Sequence, residues 1–392
     1  MSKFFRRLFH IFFDEFRQIC HDEGILIFTV LLPLGYPLLY ALIYSTEVQR
    51  ELPVCVVDDS KTSRSREFIC RVNATPEVLV ARHAVNMDEA RELMRRREVY
   101  AIVRIPDTFD DDLWQGRQTV VGIYSDLTSM LFYKVVYLGV VNVAQDMNRH
   151  IKVYEKQGPS TPREEQVAAK PIDFEHVMLY NPQGGFAAFL IPGVLMLIIQ
   201  QALVLSISMS TGRYRERFGD HFIPRHDDYR HAFTIVLGRG LPYILIFLVM
   251  ACYMNVCVTR IFTLPALTHF GTFLHFIIPY VMASTFLGFA LSRVVRHRED
   301  CILIYVFMSV PLLFLSGVSW PSASIPWYWK FVGMFAPSTH GINAYVRISG
   351  MGACVDDIHA ESLALWILAG AYFLWACYLY RRDIERVFAA DR

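Results

Sequence analysis

Few residues of this chain have the chemistry to act, and no arrangement of them forms a catalytic site. Each of the seven lysines follows a residue other than glycine, so the GxxxxGK[ST] loop that cradles phosphates is absent and ATP cannot be held that way. HExxH, GxSxG and CxxC are absent too, which removes metalloprotease, nucleophile-elbow and dithiol chemistry. His221, His226, Asp227, Asp228 and His231 are near neighbours without a known ligand spacing, and they read as a solvated polar loop. Asp58-Asp59 and Asp110-Asp111-Asp112 fall at a strand end and in a first helical turn, where carboxylates serve turns and caps. Cys252, Cys257, Cys301 and Cys377 lie in apolar runs, where a thiol is a small apolar group. Pairing of Cys55 with Cys70 is left open. No catalytic residue, metal or bound cofactor is expected, so any energy used must come from a partner or a gradient.

Six apolar runs dominate the chain, at residues 24–44, 186–209, 233–258, 267–291, 301–318 and 363–380. About 20 helical residues at ~1.5 Å each cross a ~30 Å hydrocarbon core, and each run is of that order. The expected fold class is membrane all-α: six transmembrane helices in a 1+5 arrangement, with a small α/β extracytoplasmic domain between the first two. The expected divisions are an amphipathic elbow helix at 1–23, the first span at 24–44 and the outer domain with a long helix at 45–183. Five spans follow at 184–381, containing a re-entrant segment at 319–350, and a cytoplasmic tail occupies 382–392. The hydrophobic share of 54% exceeds the roughly 45–50% of soluble domains despite the polar insert. A net charge of +1 argues against a nucleic-acid binder, which would carry a basic face. The first run contains Pro33 and Pro37 and lacks a small-residue cleavage pattern, so it reads as a retained span.

Orientation follows from Lys and Arg in the short connections. Arg6, Arg7 and Arg17 precede the first run, Arg213, Arg215, Arg217, Arg225 and Arg230 follow the second, and Arg293, Arg296 and Arg298 follow the fourth. Arg381, Arg382 and Arg386 follow the sixth, so both termini are expected in the cytoplasm of an inner-membrane, multi-pass protein. Arg239, inside the third run, is expected to snorkel to the cytoplasmic surface.

Phe4, Phe5, Phe9, Phe12, Phe13 and Phe16 form one face of the elbow helix, with Arg6, Arg7, His10, Asp14, Glu15 and Gln18 on the other. Such a helix suits the headgroup plane, as an anchor or as a docking element. The outer stretch alternates strand and helix patterns: strands near 53–57, 77–81, 100–105 and 118–124, helices near 63–72, 87–97, 107–114 and 131–154. Between the last two runs, Ser316-Gly317, Trp320-Pro321, Pro326-Trp327-Tyr328-Trp329 and Ala336-Pro337 are too apolar for a free loop and too broken for a span. Short re-entrant helices at the outer mouth of a path fit this pattern. No apolar run contains Asp or Glu, and a 1+5 layout is not two equal halves, which weighs against an ion-coupled carrier. Transport driven by a partner ATPase is favoured, with a membrane receptor or an envelope assembly factor carrying a sensing domain as the alternatives.

Several ordered motifs resemble those of the permease subunits of type-2 ABC exporters with a large extracytoplasmic domain. They are Asn181-Pro182 before the second run, Pro192-Gly193 within it, Arg215-Glu216-Arg217-Phe218-Gly219-Asp220 after it and Gly238-Arg239 with Pro242 in the third. Leu315-Ser316-Gly317, Trp320-Pro321, Ile325-Pro326-Trp327, Ala336-Pro337-Ser338 and Arg347 complete the order; Asp220 departs from the usual Thr, and Arg239 from the usual Lys. The resemblance implies a dimer with a second copy or a paralogue, each subunit docked on a separate ATP-hydrolysing ABC subunit that binds the ATP. It implies that Arg213, Tyr214, Arg215, Glu216, Arg217, Phe218 and Gly219 form the ATPase-coupling element, helped by the elbow helix. Ser316, Gly317, Pro321, Pro326, Trp327 and Pro337 would form an outer gate. It further implies membrane lipid as a partner, a periplasmic adaptor and outer-membrane duct in some members, and export of a drug-like, lipid or other amphiphilic substrate.

Overall fold

Among the described residues, five helices are long and apolar enough to cross a membrane: Glu23–Ile43, Phe186–Phe218, Ala232–Ile261, Phe270–Leu291 and Asp356–Val387. The computed structural model describes residues 2–44, 48–127, 130–151, 180–181, 185–218, 223–224, 226–262, 267–294 and 298–389. The chain divides into two units, Met1–Glu47 with Met178–Arg392, and Val48–Val177.

The helical unit starts with α1 (Ser2–His21), followed by α2 (Glu23–Ile43). Asp22 caps α2 by accepting from the Ile25 amide at 3.2 Å. Residues 27–31 of α2 are π-helical just before Pro33, which has no N–H to donate to the preceding turn. The apolar sequence continues in α7 (Phe186–Phe218), α8 (Ala232–Ile261), α9 (Phe270–Leu291), α10 (Arg298–Leu315) and α13 (His359–Ala389). Two shorter helices, α11 (Trp327–Met334) and α12 (Pro337–Met351), lie between α10 and α13. A helix apolar all round must be covered on every side. α7 is covered along most of its length: Met196, Ile199, Ala202, Leu203 and Ile207 are buried where α9, α10 and α12 pack on it.

The helix of the fifth apolar run is as long as the run but displaced three residues towards the N-terminus. α10 opens on the charged Arg298-Glu299-Asp300 and stops at Leu315, because Ser316-Gly317 turns the chain. Its outward residues Leu303, Phe307, Val310 and Phe314 are exposed.

The second unit holds a four-stranded sheet in the order β2-β1-β3-β4, formed by β1 (Leu52–Asp58), β2 (Val78–Ala84), β3 (Ala101–Ile105) and β4 (Gly122–Ser125). β1 pairs in parallel with β2 and β3, and β4 runs antiparallel to β3. Both faces of β1 are buried, as a sheet covered by helices requires. Val54 and Val56 meet α3 (Ser63–Asn73) and α6 (Met130–His150), whereas Cys55 and Val57 meet α4 (Met87–Arg95). A short helix, α5 (Phe109–Trp114), adds Phe109 to the first of these cores. Asp58 serves the turn after β1, accepting from the Lys61 amide at 3.0 Å and the Ser65 hydroxyl at 2.7 Å. Cys55 and Cys70 are both free thiols. β4 starts at Gly122, four positions later than expected, since residues 118–121 form no strand pairing. The Gly158–Pro162 break of the sequence reading lies outside the described residues.

Candidate functional site

α1 does not divide into an aromatic face and a charged face. Phe5, Phe9 and Phe13 are exposed as expected, but Ile11, Glu15 and Ile19, four residues apart, are fully buried along α8 and α7. The expectation that Glu15 faces solvent is therefore corrected, and so is the snorkelling of Arg239.

Arg239 is 1% exposed, and its guanidinium is held by Glu15, which is 0% exposed. Nε donates to Glu15 Oε2 at 2.7 Å, Nη2 to Oε1 at 3.3 Å, and Nη1 to the Tyr380 hydroxyl at 2.9 Å. Glu15 also accepts from Ser210 at 2.5 Å, Tyr243 at 3.1 Å and Tyr214 at 3.3 Å. The guanidinium lies 4.3 Å from the Tyr214 ring centroid, a cation–π distance. An arginine in a span costs about 2.5–3.5 kcal/mol on the insertion scale, and a counter-charge with satisfied donors offsets it. That counter-charge comes from α1, outside every apolar run, so inspection of the runs alone could not find it. One buried ion pair thus joins α1, α7, α8 and α13.

A second cluster lies at the same end of the helices. Asp22 Oδ2 accepts from Arg213 at 2.8 Å and from Arg298 at 2.6 Å. Burial alone would raise the Asp22 carboxyl. The Arg298 hydrogen bond, the Ile25 amide and the charges of Arg298 and Arg213 outweigh it and hold the group below its ordinary value of 3.8. Arg293 donates to both oxygens of Asp383 at 2.7 Å, tying the end of α9 to α13.

Of the residues expected to couple to an ATPase, Arg213 through Phe218 form the last turns of α7 rather than a loop, and Gly219 lies outside the described residues. Tyr214 is buried against Glu15, and Arg215 donates to the Arg293 carbonyl at 3.0 Å. Glu216 faces Arg298 at 3.3 Å, so it is engaged within the chain. Arg217 is exposed and lies over the Phe218 ring at 5.5 Å. Beside these residues opens a cavity of about 430 Å³ lined by Asp14, Gln18, Arg213, Arg217, Phe218 and Tyr229.

The residues expected to form a gate gather at the opposite end of α10. Ser316 is buried, and its hydroxyl donates to the Leu313 carbonyl at 2.6 Å. Gly317 has φ +88°, a left-handed conformation that costs a side chain dearly and glycine little. Pro321 precedes a single 3-10 turn, Pro326 caps α11, Trp327 is exposed at its start and Pro337 opens α12. An almost wholly apolar cavity of about 300 Å³ lies there, lined by Pro311, Phe314, Trp320, Ile325, Pro326 and Trp329.

The sequence reading missed the residue that fastens this region to α7. Gln200, buried mid-helix, accepts from the Ser338 amide at 2.6 Å and donates to the Ser338 hydroxyl at 3.2 Å. It satisfies one of the unpaired amides that every helix start presents. The available signal was an amide side chain inside an apolar run, which a search for carboxylates passes over. Gly341, one turn further along α12, admits the Tyr280 ring: a Cβ there would lie 2.3 Å from Tyr280 Cε2.

Among the described residues, five helices long and apolar enough to cross a membrane, fastened by buried and half-buried ion pairs, define the class as a multi-pass membrane protein. The comparisons give the family. The model of the ABC-2 family transporter protein matches residues 24–378, so the chain belongs to that family and is a membrane component of an ABC transporter. It is 23% identical over 291 residues to the inner membrane transport permease YhhJ of Escherichia coli strain K12, covering 72% of this chain and 73% of the relative. It is also 23% identical over 193 residues to ABC transporter G family member 20 of Dictyostelium discoideum, covering 48% of this chain and 26% of that protein. Membership implies an ATPase partner.

Proposed function

We propose that this chain is the permease subunit of an ABC exporter in the inner membrane, with six spans in a 1+5 arrangement and both termini cytoplasmic. The α/β unit is the extracytoplasmic domain, and the subunit works as a dimer with a second copy or a paralogue. α10 is the span that supplements the five long apolar helices, and its exposed apolar stripe suits lipid or a second permease subunit.

The observation that carries this reading is the concentration of ion pairs at one end of the helices. Glu15–Arg239, Asp22–Arg213, Asp22–Arg298 and Asp383–Arg293 bind α1, α7, α8, α9, α10 and α13 into one body there. A separate ATPase needs such a body to push on, and Arg213–Phe218 with α1 supplies it. At the other end, Ser316 through Pro337 form the outer gate, and the apolar cavity beside Pro326 and Trp329 suits an amphiphilic substrate. An adaptor and an outer-membrane duct would extend the path in an envelope with two membranes. In this reading ATP is bound by the partner ATPase and not by this chain.

Co-reconstitution of the chain with its ATPase into vesicles tests the reading. Expected are ATP-dependent movement of a fluorescent amphiphile out of the compartment holding the ATPase, and no hydrolysis by the permease alone. ATP-independent movement at the same rate would contradict it.

A further inference from the structure

We propose that His10, His226 and Asp228, with Asp14 turning in beside His10 as a fourth donor, form a binding site for a divalent transition-metal ion, with Zn²⁺ the best fit, that staples α1 to the segment entering α8. His10 and Asp14 are one helical turn apart on α1, a spacing that places two donors on one face. His226 and Asp228 flank the start of the 3-10 turn before α8. The loop alone lacks a ligand pattern, and α1 supplies the missing half.

The distances favour a shared cation over direct hydrogen bonds. His10 Nδ1 and His226 Nδ1 each lie 3.4 Å from Asp228 Oδ2, and His10 Nδ1 lies 3.6 Å from Asp14 Oδ2. Ligand atoms of His10, His226 and Asp228 all fall within 4.8 Å of one another. Zinc bonds of ~2.0–2.1 Å in a tetrahedron put ligand atoms roughly 3.3–3.4 Å apart. A charge-assisted hydrogen bond between the same groups would close to about 2.7–2.9 Å.

The local partners leave the donor atoms usable. The Asp228 amide donates to His226 Nδ1 at 3.3 Å, so that nitrogen carries the lone pair, and a cation would take it over by displacing this long hydrogen bond. Arg7 Nε approaches the other oxygen of Asp228, Oδ1, at 3.5 Å. Tyr229 donates to Asp14 Oδ2 at 3.5 Å, a long bond that a cation would displace or share. Two imidazoles with two carboxylates suit Zn²⁺ or Ni²⁺, whereas Mg²⁺ and Ca²⁺ select all-oxygen sets. His10 and His226 are half-exposed, so an ion enters from solvent without unfolding anything.

The test uses the full chain in detergent, purified without a polyhistidine tag, stripped by chelator and titrated with Co²⁺ and then Zn²⁺. Expected are the intense visible absorption of tetrahedral Co²⁺ at one ion per chain, its displacement by Zn²⁺, and a rise in thermal midpoint with Zn²⁺. His10→Gln or Asp228→Asn should weaken binding by at least ~10-fold and abolish the thermal shift. Asp14→Asn, at an exposed position, gives the same reading if either of those variants is unstable without metal. Binding that no variant alters, a weak octahedral spectrum, or no saturable binding would overturn the assignment in favour of protonated histidines paired with carboxylates.

Discussion

Glu15 and Arg239 are the residues on which the charged end depends most. Removing one partner of a buried pair strands the other, at a cost of about 3–5 kcal/mol, whereas replacing both by apolar side chains of similar size is often neutral. Glu15→Leu and Arg239→Met should therefore each lower the thermal midpoint in detergent, and the Glu15→Leu/Arg239→Met pair should recover most of the loss. Midpoints that fall additively in the pair would show that the two residues act independently. Asp22 gives a pH signature. Its carboxyl is held below its ordinary value of 3.8, so its contribution is complete above that value and disappears as pH falls through the lower folded value. Wild type should be more stable than Asp22→Asn at pH 7, and the difference should shrink as the pH falls below 3.8. Neither cluster was legible in the sequence. The basic residues were visible, but their partners lie some 190–280 positions away, and no periodicity reports that distance.

At the scale of elements, hydropathy located the crossing helices because a span must satisfy its own backbone and bury an apolar surface along its length. It located α11 and α12 for the opposite reason, since proline and glycine break a run that is otherwise apolar. What it could not supply was the fit between elements. Gln200 holds the start of α12 by two hydrogen bonds, and Gly341 lets Tyr280 lie against the same helix. Gly341→Ala puts a methyl group inside the Tyr280 ring contact, so α9 and α12 must separate. Overpacking of this kind costs about 1–3 kcal/mol. Gly317→Leu forces a side chain into the left-handed region at the end of α10. Both variants should insert normally and transport poorly, Gly341→Ala with a lowered thermal midpoint. Full transport in a stable Gly317→Leu protein would remove Gly317 from the gate. The strands of the second unit were legible through their β-branched runs, whereas the late start of β4 was not, because the apolar residues before Gly122 have no pairing partner in the sheet.

The molecule as a whole divides its labour between an end rich in ion pairs and an end rich in broken, aromatic helices. In the proposed function the first of these receives the ATPase. Glu216 is a poor residue to test it with, since Glu216→Arg would place two arginines together at Arg298 and disturb the chain itself. Arg217 is better suited, being exposed at the edge of the 430 Å³ cavity with its guanidinium over Phe218. Charge reversal at a docking surface sets like charges against each other across the interface and weakens association, with little effect on the isolated subunit. The decisive measurement is co-purification of the ATPase with Arg217→Glu, together with ATP hydrolysis of the complex in nanodiscs. The account predicts that both fall several-fold while the thermal midpoint of the permease alone stays at the wild-type value. Wild-type co-purification and wild-type hydrolysis in a stable Arg217→Glu protein would contradict it.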